Sequence, residues 1–181
     1  AHGIREPHMK LPTDLHCTDL QTPLGRLRLA TTDDALVGVW FHDQRHAPDA
    51  AVMQRWKPNT SHPVLRAAAE QLRDYFARQR RAFDLPLDLS SGTPFQRAVW
   101  QALLTIEAGH TLSYSALAQR LNAPKAVRAV AAAVWRNPLS IVVPCHRVLG
   151  ARGELTGYAG GLPRKATLLQ LEAGATPALT A

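Results

Sequence analysis

The sequence predicts an α/β protein in two parts. The first part is an antiparallel sheet with one long helix. The second is mostly helical and carries a helix-turn-helix. Three observations predict this. Apolar and polar residues alternate between about Leu15 and His42, with turn signals between the runs. After Thr93 the apolar spacing changes to that of helices, each opened by a capping residue. Between the two lies Ser90-Ser91-Gly92, the best candidate for a boundary, giving parts 1–91 and 92–181. A chain of 181 residues is long enough to bury a real core in either part.

Residues Ala1 to Met9 read as a poorly ordered start, with His8-Met9 suggesting a cloning scar before a native start. Leu27 and Leu29 alternate with Arg26 and Arg28 in a strand that follows the turn Thr22-Pro23-Leu24-Gly25. Asp33-Asp34 makes the next turn, and Ala35 to Phe41 is a more continuous apolar strand. Residues 43–60 are mixed, with a short helix expected over Ala50 to Arg55. His62-Pro63 opens a helix to about Gln79, with Pro in the first turn, where its missing N–H costs nothing. Leu65, Ala69, Leu72 and Phe76 share one face of it. Phe83 to Leu89 alternates around Pro86 and reads as an edge strand.

Thr93-Pro94 is an N-cap followed by Pro at the first helical position. The helix it starts should run to about Ile106 and bury Phe95, Val99, Trp100 and Leu103. Ser113 caps a second helix, Tyr114 to Leu121, and Asn122-Ala123-Pro124 turns into a third, Lys125 to Trp135. Two short helices joined by three residues form a helix-turn-helix pattern, although a purely structural hairpin has the same appearance. The third helix is small along one side, through Ala126, Ala129, Ala131, Ala132 and Ala133.

Charge is unevenly placed. The net charge is +7. Ala108 to Leu171 holds eight Lys and Arg against Glu154 alone, while the remainder balances at thirteen of each sign. An excess of this kind on one segment suits a polyanion such as nucleic acid, or is simply a solvated basic face. Two cysteines, Cys17 and Cys145, exclude a disulfide framework and a Cys-rich zinc site. His16-Cys17 lacks a matching ligand pair in the sequence, so Cys17 reads as a plain, partly buried thiol. No apolar run of membrane-spanning length and no signal-peptide pattern is present, which predicts a soluble cytoplasmic protein.

The basic segment contains Ile141-Val142-Val143-Pro144-Cys145-His146-Arg147-Val148. A cysteine is a strong nucleophile only as thiolate, and a base or cation nearby raises the thiolate fraction. Adjacency in sequence does not make a dyad, and a cysteine ending an apolar run is more often a buried, inert thiol. Asn137-Pro138 precedes this run and Gly157-Tyr158-Ala159-Gly160-Gly161 follows it. In order and spacing these elements resemble the O6-alkylguanine-DNA alkyltransferases, over about Thr93 to Glu172.

The resemblance implies a ribonuclease-H-like N-terminal domain and a DNA-repair activity. An alkyl group on O6 of guanine, and on O4 of thymine, would pass to Cys145 by SN2 displacement after the base is flipped from the duplex. His146 would take the thiol proton through a water, and Glu172 would hold His146 in the useful tautomer. Asn137 would brace the turn that carries Cys145, and Tyr114 would serve the leaving base at N3. Tyr114, Ser115, Ala126, Arg128 and Ala151 would contact DNA from the minor groove, with Arg128 filling the gap left by the base. Val134, Val148, Gly157, Tyr158 and Ala159 would form the pocket. The resemblance implies a monomer that reacts once and needs no metal and no cofactor. Some relatives carry a structural zinc in the N-terminal domain, but this sequence shows no obvious ligand set for one. Trp135-Arg136 stands where relatives often have small or polar residues, Ala131-Ala132 where glycine is frequent and Pro163 where a bulkier residue is usual. These departures bear on pocket size. Two readings compete: a binder of alkylated DNA without chemistry, against which Cys145 speaks, and a helix-turn-helix regulator, which would need an effector or dimerisation element.

Overall fold

The computed structural model describes residues 10–174. The expectations for Ala1 to Met9 and for a flexible C-terminal tail lie outside the described residues. Strands β1 (His16–Thr22), β2 (Gly25–Thr31) and β3 (Leu36–Phe41) form the antiparallel meander. A helical turn, α1 (Ala50–Met53), leads to the two-residue strand β4 (Lys57–Pro58). That strand pairs parallel to β1, giving the sheet order β3-β2-β1-β4. So short a strand, ending in Pro, has no period to read in the sequence.

Both faces of the sheet are covered. Leu20, Leu27, Leu29, Leu36, Val39 and Phe41 face the main core. Leu15, Cys17, Ala30, Val37, Trp40 and Trp56 form a smaller cluster on the other side. All six residues of β3 are therefore buried, which explains its continuous apolar run. Gly38 makes this possible, because a Cβ there would lie 1.8 Å from the Trp40 ring. Helix α2 (Pro63–Phe76) packs on the main face through Leu65, Ala68, Ala69, Leu72 and Tyr75. Tyr75, rather than the expected Phe76, is its fully buried aromatic; Phe76 is half-buried at the rim.

The expected edge strand over Phe83 to Leu89 reduces to one bridge, Leu87 with Leu36. Leu36 N–H donates to Pro86 O and Asp88 N–H to Leu36 O, but Pro86 has no N–H to extend the ladder. The same edge of β3 also takes a segment of the second half. Val39 N–H donates to Pro138 O at 2.8 Å, and Ser140 N–H to Val39 O at 3.0 Å. The turn leading to Cys145 is thus fastened to the sheet.

Helix α3 (Pro94–Leu103) has a reciprocal capping box between Thr93 and Gln96. It buries Val99, Trp100 and Leu103, whereas Phe95, expected inside, is 39% exposed in the first turn, beyond the reach of the core. Strand β5 (Leu112–Ser113) precedes α4 (Tyr114–Arg120), and α5 (Val127–Trp135) completes the helix-turn-helix. Ser113 caps α4 as expected, and Asn122, at φ 55°, closes the turn. Helix α5 starts two residues later than expected because Ala123 to Ala126 form a hydrogen-bonded turn. The Trp100 indole N–H donates to Ala133 O at 2.8 Å and ties α3 to α5. Strand β6 (Val148–Leu149) pairs with β5, and α6 (Leu162–Ala173) closes the chain. One core cluster runs through both halves, from Leu20 to Leu168. No helix among the described residues is long and apolar enough to cross a membrane.

Candidate active site

Residues 141–144 are apolar, yet they form no strand before Cys145. They are a buried, turned segment that ends in a 3-10 turn, Cys145–Arg147. Asn137 holds this segment in shape. Its side-chain N–H donates to Val143 O at 2.8 Å and Leu139 O at 3.4 Å, and its oxygen accepts Leu139 N–H at 2.9 Å. A side-chain amide thus replaces the ladder partners that this backbone lacks. Ile141 sits at φ 73°, a strained conformation for a β-branched residue, fully buried within the turn.

Cys145 is 5% exposed. Burial pushes its thiol pKa up, and an Asn137 hydrogen bond and the Lys165 charge oppose the rise without cancelling it. The resting group is a thiol that needs a base. His146 is completely buried, and burial lowers its pKa, so the imidazole is neutral at pH 7. Its Nε2 bonds to Glu172 Oε1 at 2.7 Å, while its Nδ1 has no protein partner among the described residues. A carboxylate accepts only, so Nε2 carries the proton and Nδ1 is left as a free base.

Glu172 comes from the last turn of α6. Burial pushes its carboxyl pKa up, but hydrogen bonds from His146 and Arg147 outweigh this and hold it well below the usual carboxylate range. Arg147 donates to Glu172 through Nε at 2.9 Å and Nη2 at 2.8 Å, and its Nη1 donates to Ile106 O. Tyr75 Oη–H donates to the same carboxylate at 2.8 Å. Arg147 is therefore an internal charge and no part of a DNA-facing surface. Lys165 is also fully buried. Arg120, Lys125, Arg128 and Arg152 are exposed and carry the basic face.

Sequence reading missed Lys165. Its Nζ donates to Thr156 O at 2.7 Å and Gly157 O at 3.3 Å, and burial brings its pKa down to about 8. A signal existed: Lys165, Leu168 and Glu172 are the buried face of α6, so charged residues occupy two core positions. Tyr114 begins α4 and is half-buried, with Oη 3.2 Å from Thr156 O and 3.5 Å from Gly157 O. Two donors, Tyr114 and Lys165, thus converge on one pair of carbonyls beside Cys145.

Of the other expected residues, Ser115, Arg128 and Ala151 are exposed and Ala126 is half-buried. Gly157 and Ala159 are half-buried, and Tyr158 is 7% exposed, its hydroxyl buried without a partner among the described residues. The side chains of Val134 and Val148 belong to the main core. A groove of about 1120 Å³ lies between residues 10–13, 46–56 and 90–96, away from Cys145.

Among the described residues one metal-ligating group converges, His16, Asp33 and His62. Asn59 donates to His16 Nδ1 and Val64 N–H to His62 Nδ1, which leaves Nε2 of each ring to carry a proton. His16 Nε2–H then points to Asp33 at 3.3 Å. The trio reads as a hydrogen-bonded pin between β1, the β2–β3 turn and α2, without the thiolates of a structural zinc site.

Comparison with known proteins places these features together. Residues 94–174 match the model of the 6-O-methylguanine DNA methyltransferase DNA binding domain, and residues 15–89 match that of its ribonuclease-like domain. A methylated-DNA–protein-cysteine methyltransferase of Mycobacterium leprae is 46% identical over 87% of this chain and 92% of its own. A constitutive one from Bacillus subtilis is 44% identical over 86% and 93%. The crystal structure of the Mycobacterium tuberculosis O6-methylguanine methyltransferase superposes with a TM-score of 0.82 at 43% identity, covering 91% of this chain and 96% of that one. The Mycobacterium tuberculosis protein in complex with DNA gives a TM-score of 0.81, covering 90% and 96%.

Proposed function

The chain belongs to the 6-O-methylguanine DNA methyltransferase family, DNA-binding repair proteins that transfer an alkyl group from DNA to a cysteine, and from that premise we propose that Cys145 is the acceptor. The observation that carries this is the chain Cys145, His146, Glu172. The residue after the buried thiol is a neutral imidazole whose Nε2 is held by a carboxylate and whose Nδ1 has no protein partner among the described residues.

The substrate is O6-alkylguanine, and also O4-alkylthymine, in duplex DNA. The O6 carbon cannot meet a thiol inside the base stack, so the nucleotide rotates out at a cost of a few kcal/mol. Helix α5 enters the minor groove, and Arg128 occupies the gap. His146 Nδ1, through a water, takes the Cys145 proton. The thiolate attacks the alkyl carbon, the S–C bond forms, and the C–O6 bond breaks with its electron pair moving to guanine. Tyr114 protonates or hydrogen-bonds the base at N3, and the proton held by His146 restores the balance. Glu172 keeps His146 in one tautomer and stabilises its charged form.

A thioether has no second thiol near it. Cys17, the other cysteine, lies in the cluster on the opposite face of the sheet. Each molecule therefore acts once. Asn137, Lys165 and the Gly157–Ala159 wall shape the site, and the protein works as a cytoplasmic monomer.

Intact-protein mass spectrometry with a duplex holding one O6-methylguanine tests this. The wild type gains one methylene mass, mapped to Cys145, and Cys145→Ala gains none. Tight lesion binding without a mass gain would instead support a damage binder, and no lesion preference would leave a basic helix-turn-helix protein.

A further inference from the structure

The mechanism above uses no residue of the first half of the chain, yet the loop after β3, residues 42–46, reaches both walls of the site. On the side that receives the base, Arg45 N–H donates to Ala159 O at 2.9 Å. Asp43 accepts from Arg164 Nη1 at 2.6 Å, and the same nitrogen donates to Gly160 O at 3.1 Å. Gly160 lies against Phe41, the last residue of β3, so closely that a Cβ would meet the ring at 3.0 Å. On the side that carries the thiol, Ser140 Oγ–H donates to Gln44 Oε1 at 3.0 Å. Phe41 N–H donates to the same oxygen at 2.8 Å. A backbone N–H only donates, so the amide turns its oxygen to this side, and both of its lone pairs are in use. Gln44 is 8% exposed and Ser140 is 2% exposed.

This bond holds the flank of a strained turn. Val142 N–H donates to Ser140 O at 2.9 Å with Ile141 between them at φ 73°, a three-residue turn of the rare, strained hand. Such a conformation persists only where its surroundings overdetermine it. Ser140 supplies that support through its N–H to Val39 O and its hydroxyl to Gln44. A second three-residue turn follows at Pro144, of the common hand, with Cys145 N–H donating to Val143 O at 2.8 Å. The place of the thiol is the end point of these two turns.

We propose that Gln44 is a positioning residue for alkyl transfer: by gripping Ser140 from the loop that also holds Ala159 and Gly160, it fixes the turn that presents Cys145 to the wall that receives the base. This rests on the reading of Cys145 as the acceptor. Displacement at carbon needs sulfur, carbon and the leaving oxygen in line, so nucleophile and base must be held in one frame. Among the described residues, none assigned to DNA contact is bonded to Gln44 or Ser140, so affinity for the duplex should not change.

The test is single-turnover methyl transfer from an O6-methylguanine duplex, followed over a range of duplex concentrations. Each molecule reacts once, so the amplitude counts folded, competent protein and the rate constant at saturation reports alignment. Ser140→Ala should keep the amplitude and the half-saturating duplex concentration and slow the rate constant roughly threefold to tenfold, the weight of one hydrogen bond. Gln44→Met, of similar size without the acceptor, should do the same. The double variant should be no slower than the slower single one, because both remove one bond. Ser140→Ala is the lighter change, since Gln44 keeps Phe41 N–H, and it decides the matter even if Gln44→Met fails to fold. An unchanged or faster rate constant in Ser140→Ala overturns the proposal, and a loss of amplitude alone would assign the bond to stability. Losses that multiply in the double variant, or a rise confined to the half-saturating concentration, overturn it too. Absence of transfer in the wild type would overturn the assignment of Cys145 and this proposal with it.

Discussion

Glu172 satisfies four donors at once: His146 Nε2, two nitrogens of Arg147, and Tyr75 Oη. A carboxylate has about four acceptor positions, so this one is saturated. Removing its charge would leave the buried Arg147 guanidinium uncompensated. Glu172→Gln is therefore expected to lower stability by about 3–5 kcal/mol, read from the midpoint of urea unfolding. Tyr75→Phe removes one neutral donor and should cost about 1 kcal/mol. If the two variants lose the same small amount, the ion pair does not carry the stability assigned to it. The link from His146 to Glu172 was legible in the sequence because the resemblance named both residues. Arg147 and Tyr75 were not. Nothing local marks Arg147 as internal, and its charge counts toward the basic segment until the fold buries it. Tyr75 and Phe76 are neighbours on one helix, and a turn of about 100° decides which of them meets a carboxylate 97 residues away.

Helix α5 divides cleanly by face. Val130, Ala133 and Val134 are buried, while Arg128, Ala129 and Ala132 are exposed. Five alanines read as one small side in the sequence, but Ala133 belongs to the core and gives its carbonyl to Trp100. Small exposed residues beside an arginine let a helix backbone approach a groove closely. Ala132→Leu should therefore weaken duplex binding by about tenfold, close to 1.4 kcal/mol. An exposed site away from the core should at the same time leave folding stability within about 0.5 kcal/mol. Fluorescence anisotropy with a labelled duplex and a thermal melt measure the two quantities, and unchanged affinity would remove α5 from the interface. Capping signals made the helices legible as elements: Thr93, Ser113 and Pro63 mark true starts. The strand over Phe83 to Leu89 was half-legible. Its alternation is real in burial, but Pro86 cannot supply the second bond of a ladder, and only the outline of pairing survives.

At the scale of the molecule, the two halves share more than a core. Arg164 of α6 donates to Leu24 O, Asp43 and Gly160 O, and lies over the Phe41 ring. Ser140 donates to Gln44, which accepts Phe41 N–H, and Arg45 N–H donates to Ala159 O beside the site. Tyr75 and Arg81 reach Glu172 from the first half. The buried charges in this seam set how stability depends on pH. His146 has a folded pKa below its usual 6.5 because burial opposes its charge. The unfolded chain then binds the extra proton first, so stability falls as pH drops through about 6.5. Glu172 has a folded pKa below 4.5, held down against burial by His146 and Arg147. Its contribution is full above about 4.5 and is lost as pH falls below that value. Lys165 acts at the other end: its folded pKa is about 8, against 10.5 unfolded. The unfolded state holds more protons in that window, so this group makes stability rise with pH between about 8 and 10.5. Calorimetry from pH 4 to 9 should show a melting temperature that declines below about 6.5 and declines further below about 4.5. Each scan should contain one transition, because one carboxylate of α6 is bonded from both α2 and the 3-10 turn. Two separable transitions would mean that the seam is weaker than either half and that the sheet and the site fold apart.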